Sequence, residues 1–72
     1  MRKITVSLAQ NVKKYRQKAK LSQDKLSKLA GVTLHTITKI ESSATLDPRV
    51  ETVKRIADAL ERSVDELLVI KE

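Results

Sequence analysis

Seventy-two residues with a formal net charge of +6, no cysteine and one histidine set narrow bounds on what this chain does. The core is small, disulfides and thiolate metal sites are excluded, and a lone histidine without CxxC or HExxH leaves no metal or cofactor site. No apolar run approaches about 18 residues and no signal-peptide core opens the chain, so a soluble cytoplasmic protein with no membrane partner is expected.

In chain order the sequence offers helices and no convincing strand. Residues 1–6, MRKITV, alternate weakly and read as an extended N-terminal arm. Ser7 followed by Gln10 forms a capping box that opens a first helix, with Leu8, Val12, Tyr15 and Ala19 at helical spacing. Ser22 is the natural N-cap of a second helix, whose Leu26 and Ala30 share a face. Gly31, the only glycine, suits a left-handed C-terminal cap, and Val32 follows the turn. Thr33 caps a third helix running to about Ser42, with Ile37 and Ile40 inward. The polar stretch SSATLD, residues 42–47, is a loop. Asp47 then serves as N-cap and Pro48 as first residue of a fourth helix, with Val50, Val53, Ile56, Ala57 and Leu60 as its inner stripe. A second capping box, Ser63 with Glu66, starts a short fifth helix that turns Val64, Leu67 and Leu68 inward. No repeat or linker interrupts the pattern, which predicts one compact all-α, five-helix domain over residues 1–72.

The informative unit is residues 22–42: two helices joined by a short glycine-containing turn, the arrangement that lays a second helix in a DNA major groove. Charge agrees with it. Residues 1–49 carry eleven Lys/Arg against three Asp/Glu, whereas residues 50–72 carry four against six. The basic side therefore holds the helix pair, as a polyanion binder requires, although solubilising lysines would look alike. With Tyr15 the sole aromatic, base-stacking partners such as RNA or single strands lose weight against double-stranded DNA.

At about 100° per residue, with Ile37 and Ile40 inward, the outer face of the third helix carries His35, Thr38, Lys39 and Ser42. Leu34, Thr36 and Glu41 fall on its flanks. Lys39 suits a guanine edge or a phosphate, and Thr38 a base edge or a thymine methyl. His35 fits a purine N7 or simple exposure, and Leu34 a thymine methyl or the rim of the core. Ser42, with the loop beyond it, and Thr33, at the head of the same helix, are assigned to phosphates, which position without carrying sequence information. Gln23 follows the Ser22 cap, where a helix N-terminus presents free N–H groups to an anion, and is a phosphate-clamp candidate. Glu41, partly turned to the core, wants a cation, and Arg16 at the edge of the first helix's inner stripe would supply it; two ordinary surface charges are the alternative.

Over residues 7–69 the chain resembles the Cro/C1-type (XRE) helix-turn-helix family of phage repressors and small bacterial and archaeal regulators. The carriers are Arg16, L-S-Q at 21–23, Leu26, A-G-V-T at 30–33, I-T-K-I-E at 37–41, D-P at 47–48, V-K-R-I-A-D-A-L at 53–60 and S-V-D-E-L-L at 63–68. The resemblance implies a lambda-repressor-like fold with Gln23 on a phosphate and Leu34, His35, Thr38 and Lys39 reading bases. It further implies Arg16 and Glu41 as a structural ion pair, Arg49 on the DNA backbone or minor groove, and a two-fold homodimer on near-palindromic sites. Three positions depart from the family pattern: Ser27 stands for a common alanine, and Ser43 and Glu61 for common glycines. The expected function is sequence-specific transcriptional regulation, most simply repression, in the nucleoid of a prokaryotic or phage system. A protein-interaction module such as an antitoxin or coactivator bridge is the alternative. Without a paired-carboxylate site, nucleophile–base constellation or phosphate loop, no enzyme is expected.

Overall fold

The computed structural model describes residues 2–44 and 49–68, with side chains from Leu8 onward. Five helices follow one another: α1 Arg2–Lys18, α2 Gln23–Ala30, α3 Leu34–Glu41, α4 Val50–Ala59 and α5 Val64–Leu68. The described residues include no strand. Helix α1 packs on α3 and α5, while α2 packs on α3 and α4, so α1 and α2 hold the two sides of α3. Leu8, Val12, Leu26, Ile37, Ile56 and Leu67 fill the centre, with Tyr15, Leu21 and Val32 against its edge.

Local chemistry sets most helix starts. Ser22 Oγ accepts from the Lys25 N–H at 3.0 Å, and Thr33 Oγ1 accepts from the Thr36 N–H at 3.1 Å. The Ser63–Glu66 box is reciprocal: Glu66 N–H donates to Ser63 Oγ at 3.1 Å, and Ser63 N–H donates to Glu66 Oε1 at 2.9 Å. Each satisfies N–H groups that a helix start leaves without partners.

The exits share one device. After α1, α2, α3 and α4 the chain passes through the left-handed region at Lys20 (φ 60°), Gly31 (φ 73°), Ser43 (φ 61°) and Glu61 (φ 57°). The following N–H then reaches back five residues: Leu21 to Arg16 O at 3.1 Å, Val32 to Ser27 O at 3.0 Å, Ala44 to Lys39 O and Arg62 to Ala57 O both at 2.9 Å. This is the Schellman closure, which satisfies the last carbonyls of a helix. Only one of the four positions is glycine.

Two buried polar side chains are satisfied. Asn11 donates from Nδ2 to the Leu67 carbonyl at 2.8 Å, tying α1 to α5. Ser27 donates from its hydroxyl to the Asp24 carbonyl at 2.6 Å.

Four expectations need correction. Residues 2–6 continue α1 rather than forming an extended arm, so Ser7 is an interior helix position and not an N-cap. Once a turn is nucleated, each added residue contributes a further hydrogen bond at little cost, and no breaker interrupts RKITV. Ala19 is exposed and lies past the end of α1. Helix α4 begins at Val50, and its N-cap is Arg49, which makes no side-chain cap bond. Asp47 and Pro48 lie outside the described residues, and Arg49 itself has extended backbone (ψ 141°). Val50 is 79% exposed instead of inward. Three residues before Val53, it is rotated about 60° from that buried position and sits about 4.5 Å further along the axis.

Candidate nucleic-acid interface

The turn between α2 and α3 consists of residues 31–33, with Gly31 in the left-handed region at φ 73°, where glycine costs less than other residues. A Cβ there would stand 3.6 Å from Arg55 Nη1, an ordinary contact, so the left-handed φ alone makes glycine the fitting residue. Arg55 Nη1 also donates to the Gly31 carbonyl at 3.4 Å, joining α4 to the turn.

Ile37 and Ile40 are buried, which orients α3. His35, Lys39 and Ser42 are exposed, as are Thr33 at the head of the helix and Leu34, at 43%. Thr38 is half-buried, less open than a helical wheel implies, because α1 packs alongside α3. Its Oγ1 donates to the His35 carbonyl at 2.9 Å, and Ser42 Oγ donates to the Lys39 carbonyl at 3.1 Å. Both hydroxyl protons are therefore engaged, and these two side chains present lone pairs outward. Lys39 presents donors only.

Arg16 and Glu41 meet as the sequence suggests. Arg16 Nε donates to Glu41 Oε2 at 2.6 Å and Nη2 to Oε1 at 3.1 Å, a fork-to-fork pair with side chains only 12% and 5% exposed. Arg16 Nη1 adds a bond to the Leu21 carbonyl at 2.8 Å. Gln23, expected to face an anion directly, donates from Nε2 to Glu41 Oε1 at 2.9 Å, so α1, α2 and α3 are joined through one carboxylate. Reach across three helices is invisible in a linear pattern, and sequence reasoning missed this bond.

Arg16, Gln23, Thr38, Glu41 and Ser42 line a shallow depression of about 290 Å³ together with Lys13. Lys13 was also missed, although its position three residues before Arg16 puts it on the same face of α1. Thr33, Leu34, His35 and Lys39 do not line the depression, and Arg49 stands exposed at the start of α4. Tyr15, expected only as core, also packs its ring against the Arg62 guanidinium, 4.5 Å from the ring centroid.

A glycine-turned helix pair with an open polar rim on its second helix, flanked by basic residues, is the architecture of the helix-turn-helix DNA-binding domains. Residues 12–67 match the helix-turn-helix family HTH_3. The chain belongs to this family, the Cro/C1 type named above. The N-terminal DNA-binding domain of SinR from Bacillus subtilis is 28% identical, with 90% of this chain and 94% of that one covered at a TM-score of 0.84. SinR, a master regulator for biofilm formation, is also similar in its structure in complex with DNA, at 27% identity, 86% and 98% coverage and a TM-score of 0.82. A hypothetical transcription factor, NHTF, from Neisseria shares the fold at 21% identity, 93% and 76% coverage and a TM-score of 0.88. The fold also recurs within an enzyme, hydroxypropylphosphonic acid epoxidase from S. wedmorenis, at 23% identity and a TM-score of 0.84, where 96% of this chain matches 36% of that one. No curated protein matches the sequence. Among the described residues no helix is long and apolar enough to cross a membrane, and no group of His, Cys, Asp or Glu could hold a metal ion.

Proposed function

We propose that this domain is a non-enzymatic, sequence-specific binder of double-stranded DNA that regulates transcription, most simply as a cytoplasmic repressor occluding a promoter. The observation that carries the reading is the rim of α3: Lys39, His35 and Leu34 open to solvent on a helix locked from behind by Ile37, Ile40 and the Arg16–Glu41 fork. A groove reader needs that combination of rigid backing and free edge, since positional error in the backing would blur the base contacts. In this reading Lys39 donates to guanine O6 or N7, and Leu34 packs on a thymine methyl. His35 donates to a purine N7. Thr38, its proton already engaged, accepts from an exocyclic amino group of adenine or cytosine. Gln23, Thr33, Ser42 and Arg49 lie on the backbone side as phosphate contacts, Ser42 after its hydroxyl turns away from the Lys39 carbonyl.

A homodimer on half-sites about one helical turn apart completes the proposal. Leu68, half-buried at the end of α5, and the neighbouring Val69 and Ile70, which lie outside the described residues, form the apolar segment for that contact. The interaction-module reading draws support from Leu29, 62% exposed on α2, and from the recurrence of the fold inside an epoxidase. Selection from random duplexes with the purified protein separates the two. Enrichment of one motif, repeated with two-fold symmetry, is expected; a pool that remains random after repeated rounds overturns the regulator.

A further inference from the structure

Gly31 stands in the left-handed region (φ 73°), and a glycine has more backbone freedom than any other residue. The turn it opens leads to Thr33, Leu34 and His35, all exposed. Thr33 Oγ1 accepts from the Thr36 N–H, so this cap steadies α3 without tying it to a neighbouring helix. Helix α4 packs on α2, and from there Arg55 Nη1 donates to the Gly31 carbonyl at 3.4 Å. Arg55 Nη2 donates to Glu51 Oε2, one turn back on α4, at 3.3 Å, which keeps the guanidinium aimed at the turn. We propose that Arg55 is a positioning residue for base readout: by holding the Gly31 carbonyl it sets the angle at which the head of α3 meets the duplex. The inference rests on the DNA-binding reading and gives Arg55 no contact with DNA.

The far end of α3 is pinned separately. Glu41, its last residue, is forked by Arg16 at 2.6 and 3.1 Å, and Ile37 and Ile40 are buried. Leu34 lies about 10 Å along the axis from that pin, whereas Lys39 lies about 3 Å from it. A tilt of about 10° therefore carries Leu34 by about 2 Å and Lys39 by about 0.5 Å, against a tolerance of about 0.5 Å for a working contact. Readout by Leu34 and His35 thus depends on the turn, and readout by Lys39 depends on the fork. Arg55 is 52% exposed, so its bonds add little to folding; what they supply is direction. A guanidinium can serve Glu51 and Gly31 at once in one fixed geometry, which a lysine ammonium does not reproduce.

The test is selection from random duplexes by the wild-type protein, Arg55→Ala and Arg55→Lys, with a salt series on the wild-type site and thermal melting alongside. Leu34→Ala, His35→Ala and Lys39→Ala mark which positions of that site belong to each end of α3. Arg55→Ala is expected to melt within about 4 °C of the wild type and to bind about two- to tenfold more weakly at an unchanged salt slope. Its base preference is expected to relax at the Leu34 and His35 positions and to persist at the Lys39 position. Arg55→Lys, which keeps the charge without the fork, is expected to share the relaxed preference. A salt slope shallower by about 0.9 for Arg55→Ala overturns the proposal, making Arg55 a phosphate contact. Preference that is unchanged, or lost equally at both ends of α3, also overturns it. An Arg55→Lys variant that selects like the wild type does the same, leaving charge alone as the cause. A site with no position marked by Leu34 or His35 overturns it too, since no contact at the head would remain to be positioned. A wild type that enriches no motif overturns the DNA-binding reading itself, and the proposal with it.

Discussion

Lys20, Ser43 and Glu61 each hold a left-handed backbone without being glycine, with φ of 60°, 61° and 57°. A Cβ in that region costs about 1–2 kcal/mol, and a glycine's extra freedom in the unfolded chain returns up to about 1 kcal/mol of it. Ser43→Gly and Glu61→Gly are therefore each expected to stabilise by about 0.5–1 kcal/mol, visible as a rise of a few degrees in thermal melting. Unchanged or lower melting in both would show that these exits carry no strain. On the rim, Lys39→Ala is expected to weaken specific binding by about 1–3 kcal/mol and relax preference at one base pair. Thr38→Val keeps the shape and removes the accepting oxygen, so an amino-bearing base should lose its advantage at one position of the selected site. A uniform loss across all sequences would instead make Lys39 a phosphate contact, and an unaltered motif for Thr38→Val would remove it from readout.

The helices differ in how they are held. Helix α5 has only five residues and depends on its capping box. The Ser63 backbone N–H holds the Glu66 carboxyl below its ordinary value; desolvation opposes it, and the Arg62 guanidinium and the Ser63 hydroxyl add to the lowering. A carboxyl depressed in the folded chain stabilises above its unfolded value and loses that contribution as pH falls through the folded one. Acid titration followed by amide exchange should thus show α5 loosening first below the ordinary carboxylate range, and Glu66→Gln should abolish that pH dependence. The contact between α1 and α3 is stronger. Glu41→Ala leaves a nearly buried Arg16 unpaired and is expected to cost about 3–5 kcal/mol in denaturant unfolding. A Glu41→Ala variant with wild-type stability but altered base preference would move Glu41 from scaffold to readout.

Element by element, what could be read in advance depended on how local its cause is. The starts of α2, α3 and α5 were legible because Ser22, Thr33 and Ser63 act on N–H groups within three residues. The start of α1 was not, since a capping-type sequence at Ser7 does not prevent a helix from running through it. The start of α4 misled because Asp-Pro signals a helix nearby without fixing where the extended backbone ends. In the site, the Arg16–Glu41 pair was legible from two stripes, whereas Gln23 joining it and Lys13 beside it emerge only when three helices converge.

For the molecule as a whole, the surplus of positive charge in residues 1–49 lies on the elements that build the α3 rim and the depression, and the acidic residues gather in α4 and α5. On the proposed function, this division orients the domain on duplex DNA before any base is read. The proposed two-fold dimer predicts that a selected site with its halves moved apart by half a helical turn binds one copy at a time, which sedimentation on the duplex would show. The decisive test of the α3 rim is a titration of isotope-labelled protein with its selected duplex, followed by amide chemical shifts. The largest changes are expected at Gln23, at residues 33–42 and at Arg49. Changes confined to α5, with α3 silent, would contradict the proposal that this rim enters the groove.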